Sequence, residues 1–503
     1  MEKTKSQLTV RSGIAVFIIV IVIGLVIIAS LKKTQKNKNT YVEDYPSIAV
    51  LPFVNLTNDQ QQDYFSDGLS EGIINSLAHL KGLKVCAWSS SLQFKKKVIN
   101  IREVGRQLGV ASVLEGSAQL KGDRIIITAS LVNVKDSVNF WSAKYDESMD
   151  DIFALQAKIM NAIAEKLEIT LMSNKQQTVA KKPTTSIEAY ELYLKGRSFW
   201  NLRTPTDLKK GIDFFQQAIS IDTSYAAAYS GIADCYTALG YGSFLTPKDA
   251  FPRALEAAAK AIKLDSTLAE PHASLGYYNF YYEWDWAAAE QEFRIAIALN
   301  PNYELGYDWY GYYLTAMTRY DEARIILKKA KQLDPLSVPI TTDIGFSVYY
   351  SGNYDLAVKE LQSSLQMNPN FGLTHLWLGR SYQAKKIYPD AIAEYKKALN
   401  VAVNWPVALA AIGSVYGESG DKANAQKILD TLNSLLSKKF VTSYGVALVY
   451  AGLGETEQAF AWLNKAYEER SNWLVWLKSD PRWAPLKSDK RFKELVNKVG
   501  LPQ

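Results

Sequence analysis

Cysteine and histidine are both scarce in this sequence of 503 residues, which holds 2 cysteines and 3 histidines. Cys86 and Cys235 fall in segments that we assign to different domains, so we expect no disulfide framework and no cysteine-based metal motif. His79, His272 and His375 are too few and too far apart for imidazole catalysis or a shared metal site. The sequence therefore predicts no catalytic residue, no metal and no cofactor.

An excess of charge of one sign is also missing from most of the chain. The formal net charge is +6, and residues 1–40 carry this excess, so the remainder is balanced. Proteins that bind nucleic acid gather basic side chains in order to neutralise phosphates. The balance of charge therefore argues against a nucleic-acid partner.

Long apolar runs are missing except for one near the amino terminus. Residues 14–31 read IAVFIIVIVIGLVIIASL, without a charged side chain. At about 1.5 Å per helical residue, this run is long enough for a hydrocarbon core of about 30 Å. We therefore predict a short basic tail (1–12), a transmembrane helix (13–31) and a tether (32–45), with a cleaved signal peptide as the alternative. Basic residues flank both ends of the run, so the positive-inside rule leaves the orientation open.

The segment over residues 46–172 has the pattern of an α+β module. SIAVLPFV at 47–54 predicts a buried strand, and apolar residues at helical spacing predict a helix over 63–80. A Gly-Asp pair at 122–123 separates two alternating segments and predicts a hairpin turn. We expect a mixed sheet with helices packed on it.

Three stretches of this module resemble, in order, the TolB amino-terminal-like domain, which is found next to bacterial signalling modules. They read SIAVLPFVNLTNDQQQDYFSDGLSEGIINSL, VGRQLGVASVLEGSAQLKGDRIIITASLVNV and FWSAKYDESMDDIFALQ. The resemblance implies a ligand- or protein-binding module, outside the inner membrane and behind a cytoplasmic effector. It favours a single-pass inner (plasma) membrane protein whose remaining part is periplasmic or extracytoplasmic. Only the short basic tail precedes the apolar run, so we expect no effector on this chain.

The rest of the sequence repeats with a period of about 34 residues, the length of a tetratricopeptide (TPR) unit, which is a pair of helices. A small residue recurs at the eighth position of each unit: Gly196, Ala233, Gly276, Gly311, Gly345, Gly379, Gly413 and Ala447. Prolines close three units, where the missing N–H stops a helix. The pattern is the TPR signature. It predicts an all-α solenoid of about eight repeats over 186–470 with a concave groove, and a carboxy-terminal cap over 471–503.

The concave groove is the best candidate for a binding site. In this repeat family, the second, fifth, ninth and twelfth positions of each first helix tend to face the concave side. These positions select Tyr277, Phe280, Asp308, Tyr312, Thr342, Phe346, Tyr349, Arg380 and Gln383. Tyrosine and arginine commonly anchor interfaces, since they bring a large contact area. The alternative is that the tyrosines only stack within the solenoid.

Two further clusters carry weaker hypotheses. Glu283 and Asp285 lie among tryptophans, a composition that suits sugar binding or acid–base chemistry. Their position in the turn between two helices favours helix capping instead. The basic run at 95–97 is interpreted as a solvated loop, or as a contact with anionic lipid or a partner.

The sequence as a whole favours a non-enzymatic, membrane-anchored interaction scaffold. A peptide or protein partner would bind in the TPR groove, the TolB-like module would add a second binding surface, and the bilayer would hold residues 13–31. Homo-oligomerisation stays open. The alternative is the sensor component of a bacterial signalling system whose effector lies on another chain. A third hypothesis is an enzyme that acts on a saccharide or peptide through Glu283 and Asp285.

Overall fold

The computed structural model describes residues 46–57, 59, 62–98, 100–169 and 182–502. The predicted tail, transmembrane helix and tether lie outside this part of the chain. Among the helices that are described, none is both long and apolar enough to cross a membrane. This finding contradicts the predicted single-pass localisation in the inner membrane.

A mixed sheet of six strands forms the centre of the amino-terminal module. The strands are β1 (Ser47–Val50), β2 (Val54–Asn55), β3 (Lys84–Val85), β4 (Ser112–Lys121), β5 (Arg124–Asn133) and β6 (Asn139–Ser148). Their order is β3-β1-β4-β5-β6, and β2 pairs with β4. Strand β1 runs parallel to β3 and β4, whereas β4, β5 and β6 are antiparallel. The predicted hairpin turn is present, with Gly122 at φ +65°, a conformation that glycine adopts without a Cβ clash.

Helices pack against this sheet. In the described part of the module they are α1 (Asp63–Ala78), α2 (Trp88–Leu92), α3 (Ile101–Leu108) and α4 (Ile152–Lys166). Asn100 caps α3 because its side chain accepts from the N–H groups of Arg102 and Glu103. The apolar faces of α1 and α4 are buried against the strands, so the predicted α+β arrangement is present.

Pairs of antiparallel helices follow, as the repeat period predicts. The pairs are α5 (Ile187–Leu202) with α6 (Pro205–Ile221), α7 (Ala226–Tyr241) with α8 (Pro247–Leu264), α9 (Glu270–Tyr278) with α10 (Trp286–Leu299), α11 (Glu304–Ala316) with α12 (Tyr320–Leu333), α13 (Val338–Tyr350) with α14 (Tyr354–Met367), α15 (Gly372–Ala384) with α16 (Tyr388–Val401), α17 (Pro406–Glu418) with α18 (Lys422–Leu435), and α19 (Ser443–Leu453) with α20 (Thr456–Glu468). A π-helical turn, Asn279–Glu283, extends α9. The chain is therefore a mostly helical, TPR-like solenoid with a small sheet region.

The small residue at each eighth position marks the crossing of two helices. A Cβ built on Gly311 would lie 2.5 Å from Leu327 Cδ2, and one on Gly345 would lie 2.6 Å from Leu361 Cγ. Both leucines belong to the second helix of the same pair. A larger residue at the eighth position would overlap them, which explains the alternation of small and large residues in the repeat.

The chain continues beyond the last pair and turns back on the array. Two 3₁₀ turns, Asn472–Trp476 and Pro481–Trp483, lead to α21 (Lys490–Val499). The indole Nε1 of Trp286, at the start of α10, donates to the carbonyl oxygen of Gly500 over 2.6 Å. The end of the described chain is thereby joined to the third helix pair.

The sheet module is also fixed to the solenoid. Asn302, in the loop before α11, accepts from the Val85 N–H over 3.0 Å and donates to the carbonyls of Ala78 and Leu83 over 2.9 Å each. Asp334, one repeat further on, accepts from the hydroxyls of two serines of α2. Buried polar groups are thus paired across the boundary, which fixes the orientation of the module on the repeats.

Candidate binding site on the concave surface

The residues predicted for the groove lie on the first helices of successive repeats. They are Tyr277, Phe280, Asp308, Tyr312, Thr342, Phe346, Tyr349, Arg380 and Gln383. Rings touch from one repeat to the next, and the centroids of Tyr312 and Phe346 lie 5.0 Å apart. None of these side chains is more than 5% exposed. The structure therefore brings the predicted residues together, but other parts of the chain shield them from solvent.

The cover is a segment from near the end of the chain, residues 470–483, which we call the covering segment. Trp476 stacks on Tyr350, with ring centroids 4.6 Å apart and an angle of 14° between the planes. The same indole meets the ring of Phe346 edge-on at 4.9 Å and that of Phe280 at 6.1 Å. The concave surface is therefore occupied by polypeptide from the chain itself.

The covering segment reaches back to the second and third repeats. Trp473 Nε1 donates to Ser243 Oγ, and Asn472 Nδ2 donates to the carbonyl of Tyr241, each over 3.3 Å. The guanidinium of Arg470 lies 4.5 Å from the centroid of the Trp284 ring, a cation–π contact. The segment therefore does more than cover the last apolar face of the array, which was the role predicted for it.

Two carboxyl groups are buried beneath the cover. Burial raises the pKa of Asp343 to about 7, against the opposing effect of a hydrogen bond from Tyr312. Burial, and then the nearby charge of Asp343, raise the pKa of Asp308 well above its ordinary value. Within the described structure, Oδ1 of Asp308 has no hydrogen-bond partner. The concave surface therefore contains two buried carboxyl groups whose protonated form is favoured, and one of them, Asp308, has an oxygen without a hydrogen-bond partner among the described residues.

Arg380 places a cation in the same surface. Its guanidinium lies between two indoles, 4.2 Å from the ring centroid of Trp377 and 4.8 Å from that of Trp473. Nε and Nη1 of Arg380 are buried, and neither has an acceptor among the residues described. The aromatic rings contribute cation–π stabilisation, but they leave these donors without a hydrogen bond.

Gln383 differs from its predicted neighbours because all its polar groups are used within the fold. Its Nε2 donates to Ser414 Oγ over 3.2 Å and to Glu418 Oε1 over 2.7 Å. Its Oε1 accepts from the hydroxyl of Tyr395 over 2.7 Å. Gln383 therefore links the sixth and seventh repeats.

Glu283 and Asp285 have separate structural partners. Glu283 accepts from the hydroxyl of Tyr278 over 3.1 Å, and Asp285 accepts from the Ala288 N–H over 3.0 Å, which caps α10. The capping interpretation of Asp285 is thus confirmed.

Two histidines are likewise engaged within their own repeats. The Nδ1 atoms of His272 and His375 lie 2.6 Å from Oε2 of Glu292 and Glu394, respectively. In the part of the chain that is described, no group of three or more His, Cys, Asp or Glu side chains could hold a metal ion. The histidines join the two helices of a pair.

Several residues of this surface were not selected from the sequence. They are Tyr241, Tyr350, Trp377, Trp473 and Trp476. The repeat positions 2, 5, 9 and 12 miss Tyr350, which directly follows position 12. Trp473 and Trp476 belong to the run NWLVW, in which the close spacing of two tryptophans was the available signal.

The geometry thus defines a class of protein, a TPR-like solenoid that carries an α+β module and has a filled concave surface. The family model described as the HilA/YgeH-like transcriptional regulator, second domain, matches residues 43–179. This match covers the α+β module. The family named by this match is not the TolB amino-terminal-like domain, which the same segment resembles in sequence.

Named relatives come from bacteria and from humans. The chain is 32% identical over 235 residues to "Putative adenylate cyclase 3" of Rhizobium meliloti, a match that covers 46% of this chain and 39% of that relative. It is 24% identical over 457 residues to "Transcriptional regulator HilA" of Salmonella typhimurium, covering 88% of this chain and 78% of the relative. It is 22% identical over 193 residues to "Tetratricopeptide repeat protein 6" of Homo sapiens, covering 38% of this chain and 36% of that relative.

Proposed function

We propose that this chain is a non-enzymatic scaffold that binds a peptide or protein partner on its concave surface. The observation that carries the proposal is that this surface already holds a stretch of polypeptide, the covering segment, through stacked rings and hydrogen bonds. A surface that receives one peptide segment has the shape and the chemistry to receive another. Its aromatic and arginine side chains are those that anchor protein interfaces.

The partner site in this proposal is formed by the residues that were selected from the repeat positions. Tyr277, Phe280, Tyr312, Phe346 and Tyr349 supply apolar and aromatic contact area. Asp308 and Arg380, which have unpaired polar atoms, would supply polar specificity, and Gln383 would hold the neighbouring repeat in place. The module of residues 46–172, which we propose to be TolB-like, would add a second binding surface.

The groove proposal is tested with the triple variant Asp308→Ala/Tyr312→Ala/Arg380→Ala. Partners of the purified full chain are captured by chemical cross-linking and quantified by mass spectrometry. We expect the triple variant to lose at least about 90% of the recovery of a specific partner, since hot-spot truncations cost tenfold or more in affinity.

The matched control changes three exposed lysines on the second helices of the fourth, fifth and sixth repeats: Lys328→Ala, Lys359→Ala and Lys396→Ala. Circular dichroism verifies that both triple variants are folded. Equal partner recovery by the wild type and the folded groove variant would refute the role of the concave surface.

A second candidate function is a component of a regulatory system whose effector lies on another chain. The observation that favours it is the match of the α+β module to a domain of transcriptional regulators, together with a relative named as a cyclase. We expect captured partners to include a separate regulator or nucleotide cyclase. Capture that persists after disruption of the module by Leu69→Asp, in a variant whose solenoid is still folded, would argue against this candidate.

A further inference from the structure

We propose that the covering segment is an internal ligand, and that the partner presents the same chemistry: two large aromatic side chains at i and i+3 on one helical turn. The inference rests on the proposed binding function and specifies what is bound. In the residues described, the segment seated on the concave surface has this form, because Trp473 and Trp476 lie on the 3₁₀ turn Asn472–Trp476. Side chains at i and i+3 of a 3₁₀ turn point the same way.

Each tryptophan occupies its own place on the surface. Trp476 is 1% exposed and is surrounded by rings from the third and fifth repeats, including Phe280, Phe346 and Tyr350. Trp473 is 5% exposed and lies over the guanidinium of Arg380. Buried aromatic anchors in separate places are the usual centre of a peptide interface.

The polar groups around these anchors are poorly matched by the covering segment. Buried atoms of the repeats without a hydrogen-bond partner in the described structure include Asp308 Oδ1, two nitrogens of Arg380, and the hydroxyls of Tyr349 and Tyr350. Leaving such groups unpaired costs free energy. The segment therefore fills the surface well by shape and incompletely by hydrogen bonding.

This mismatch gives an external partner a way to displace the segment. A partner with the same pair of aromatic residues replaces the apolar contacts one for one, so the exchange loses little apolar burial. Its other side chains are free to bond the unpaired groups. The covering segment has the advantage of its attachment, which gives it a high effective concentration. The isolated full chain should therefore bind a simple aromatic peptide only weakly.

The test uses a fluorescent peptide with the sequence of residues 469–480, ERSNWLVWLKSD. Its affinity is measured by fluorescence anisotropy for the full chain and for the variant Trp473→Ala/Trp476→Ala. We expect the variant to bind the peptide at least about tenfold more tightly than the wild type, because its own anchors no longer compete. A peptide with both tryptophans replaced by alanine should not bind.

Two controls locate the binding. Adding Tyr350→Ala to the double variant should weaken peptide binding about tenfold or more, since this ring stacks on Trp476. The variant Trp462→Ala removes a tryptophan from α20, outside the covering segment, and should bind like the wild type. If the double variant does not fold, Trp476→Leu is used, which keeps most of the apolar volume but removes the ring.

Equal peptide binding by the wild type and the anchor variants, or binding that ignores Tyr350, would overturn the inference. The two proposals fail separately. Suppose that partner capture depends on Asp308, Tyr312 and Arg380 but that the peptide does not bind. The scaffold function is then supported, and the proposal that the covering segment is an internal ligand is refuted. If neither partner capture nor peptide binding changes when the residues of the concave surface are replaced, both proposals are refuted.

Discussion

At the scale of single residues, Asp343 stands out because a titratable group is buried among tyrosines. Its pKa of about 7 lies far above the ordinary value of 3.8, mainly because burial disfavours the charged form. Between these two values the folded protein holds a proton that the unfolded chain has lost. The free energy of unfolding should therefore fall as the pH rises from about 4 to about 7.

The variant Asp343→Asn tests this pH dependence. Asparagine keeps an acceptor for Tyr312 but cannot ionise, so the variant should lose the part of the fall in stability that Asp343 contributes, while other buried carboxyls such as Asp308 keep theirs. At pH 8 we expect it to be more stable than the wild type by about 2–4 kcal/mol. Urea unfolding at several pH values measures the effect, and Asp321→Asn, at an exposed carboxyl on α12, is the control. Parallel curves for wild type and Asp343→Asn would contradict the prediction.

Asn302 allows a second prediction at this scale. Replacing it by alanine leaves one N–H and two carbonyls of the sheet module without their partner. We expect a loss of about 2–4 kcal/mol in the free energy of unfolding, because each buried unpaired group costs about 1–3 kcal/mol.

Asn370 provides the matched control for Asn302, since it occupies the same repeat position two units later and is exposed. Asn370→Ala should change the stability by less than about 0.5 kcal/mol. Both variants are compared by denaturant titration. Similar effects for the two would mean that the contacts of Asn302 with the module contribute little.

At the scale of elements, the spacing of α17 and α19 depends on two glycines that face each other. A Cβ on Gly417 would lie 2.6 Å from the carbonyl carbon of Gly452 and 2.7 Å from the nitrogen of Leu453. Backbone atoms cannot rotate away as a side chain can. The two helices must therefore move apart if either glycine gains a side chain.

Gly417→Ala should lower the free energy of unfolding by about 1–3 kcal/mol, the usual cost of overpacking. The control is Gly372→Ala at the start of α15, where an added Cβ would meet only ordinary contacts at 3.4 Å or more. Alanine favours the helix there, so that variant should be unchanged or slightly more stable. Thermal melts distinguish the two, and equal melting temperatures would show that α17 and α19 adjust freely.

At the scale of the whole molecule, the covering segment links repeats that are distant in sequence. An open repeat array loses its units one after another, because each contacts only its neighbours. Here contacts such as Trp473 with Ser243 span 230 residues. They should make the unfolding of the array more cooperative.

This cooperativity can be measured with two probes. Far-ultraviolet circular dichroism and tryptophan fluorescence should give the same urea transition for the wild type. In Trp473→Ala/Trp476→Ala the two transitions should separate, whereas in Trp462→Ala they should still coincide. Coincident transitions in the double variant would mean that neighbouring repeats alone produce the cooperativity.

Contacts within one repeat could be predicted from the sequence, whereas contacts between distant parts of the chain could not. The helix pairs follow from contacts within a single repeat unit, so the small residues at Gly311 and Gly345 and the large ones that meet them mark each crossing. The hairpin at Gly122 is local in the same sense. These signals are strong because each depends on a few neighbouring residues.

The cover over the concave surface depends on the curvature of the entire array. The repeat period gives no measure of how far residues 470–483 extend across the second to sixth repeats. The sequence therefore selected only part of the side chains that meet at this surface, and it predicted neither their burial nor the rings of the covering segment. Asn302 was missed for the same reason, since its partners Val85 and Ala78 precede it by 217 and 224 residues.

The hydrogen bond between Trp286 and Gly500 has a mechanical consequence. Open superhelical arrays of this kind stretch and recoil like springs, because small rotations between neighbours add up along the coil. An array whose third repeat is bonded to its far end cannot lengthen until that bond breaks. Under a pulling force, this molecule should stay rigid up to a threshold and then extend suddenly.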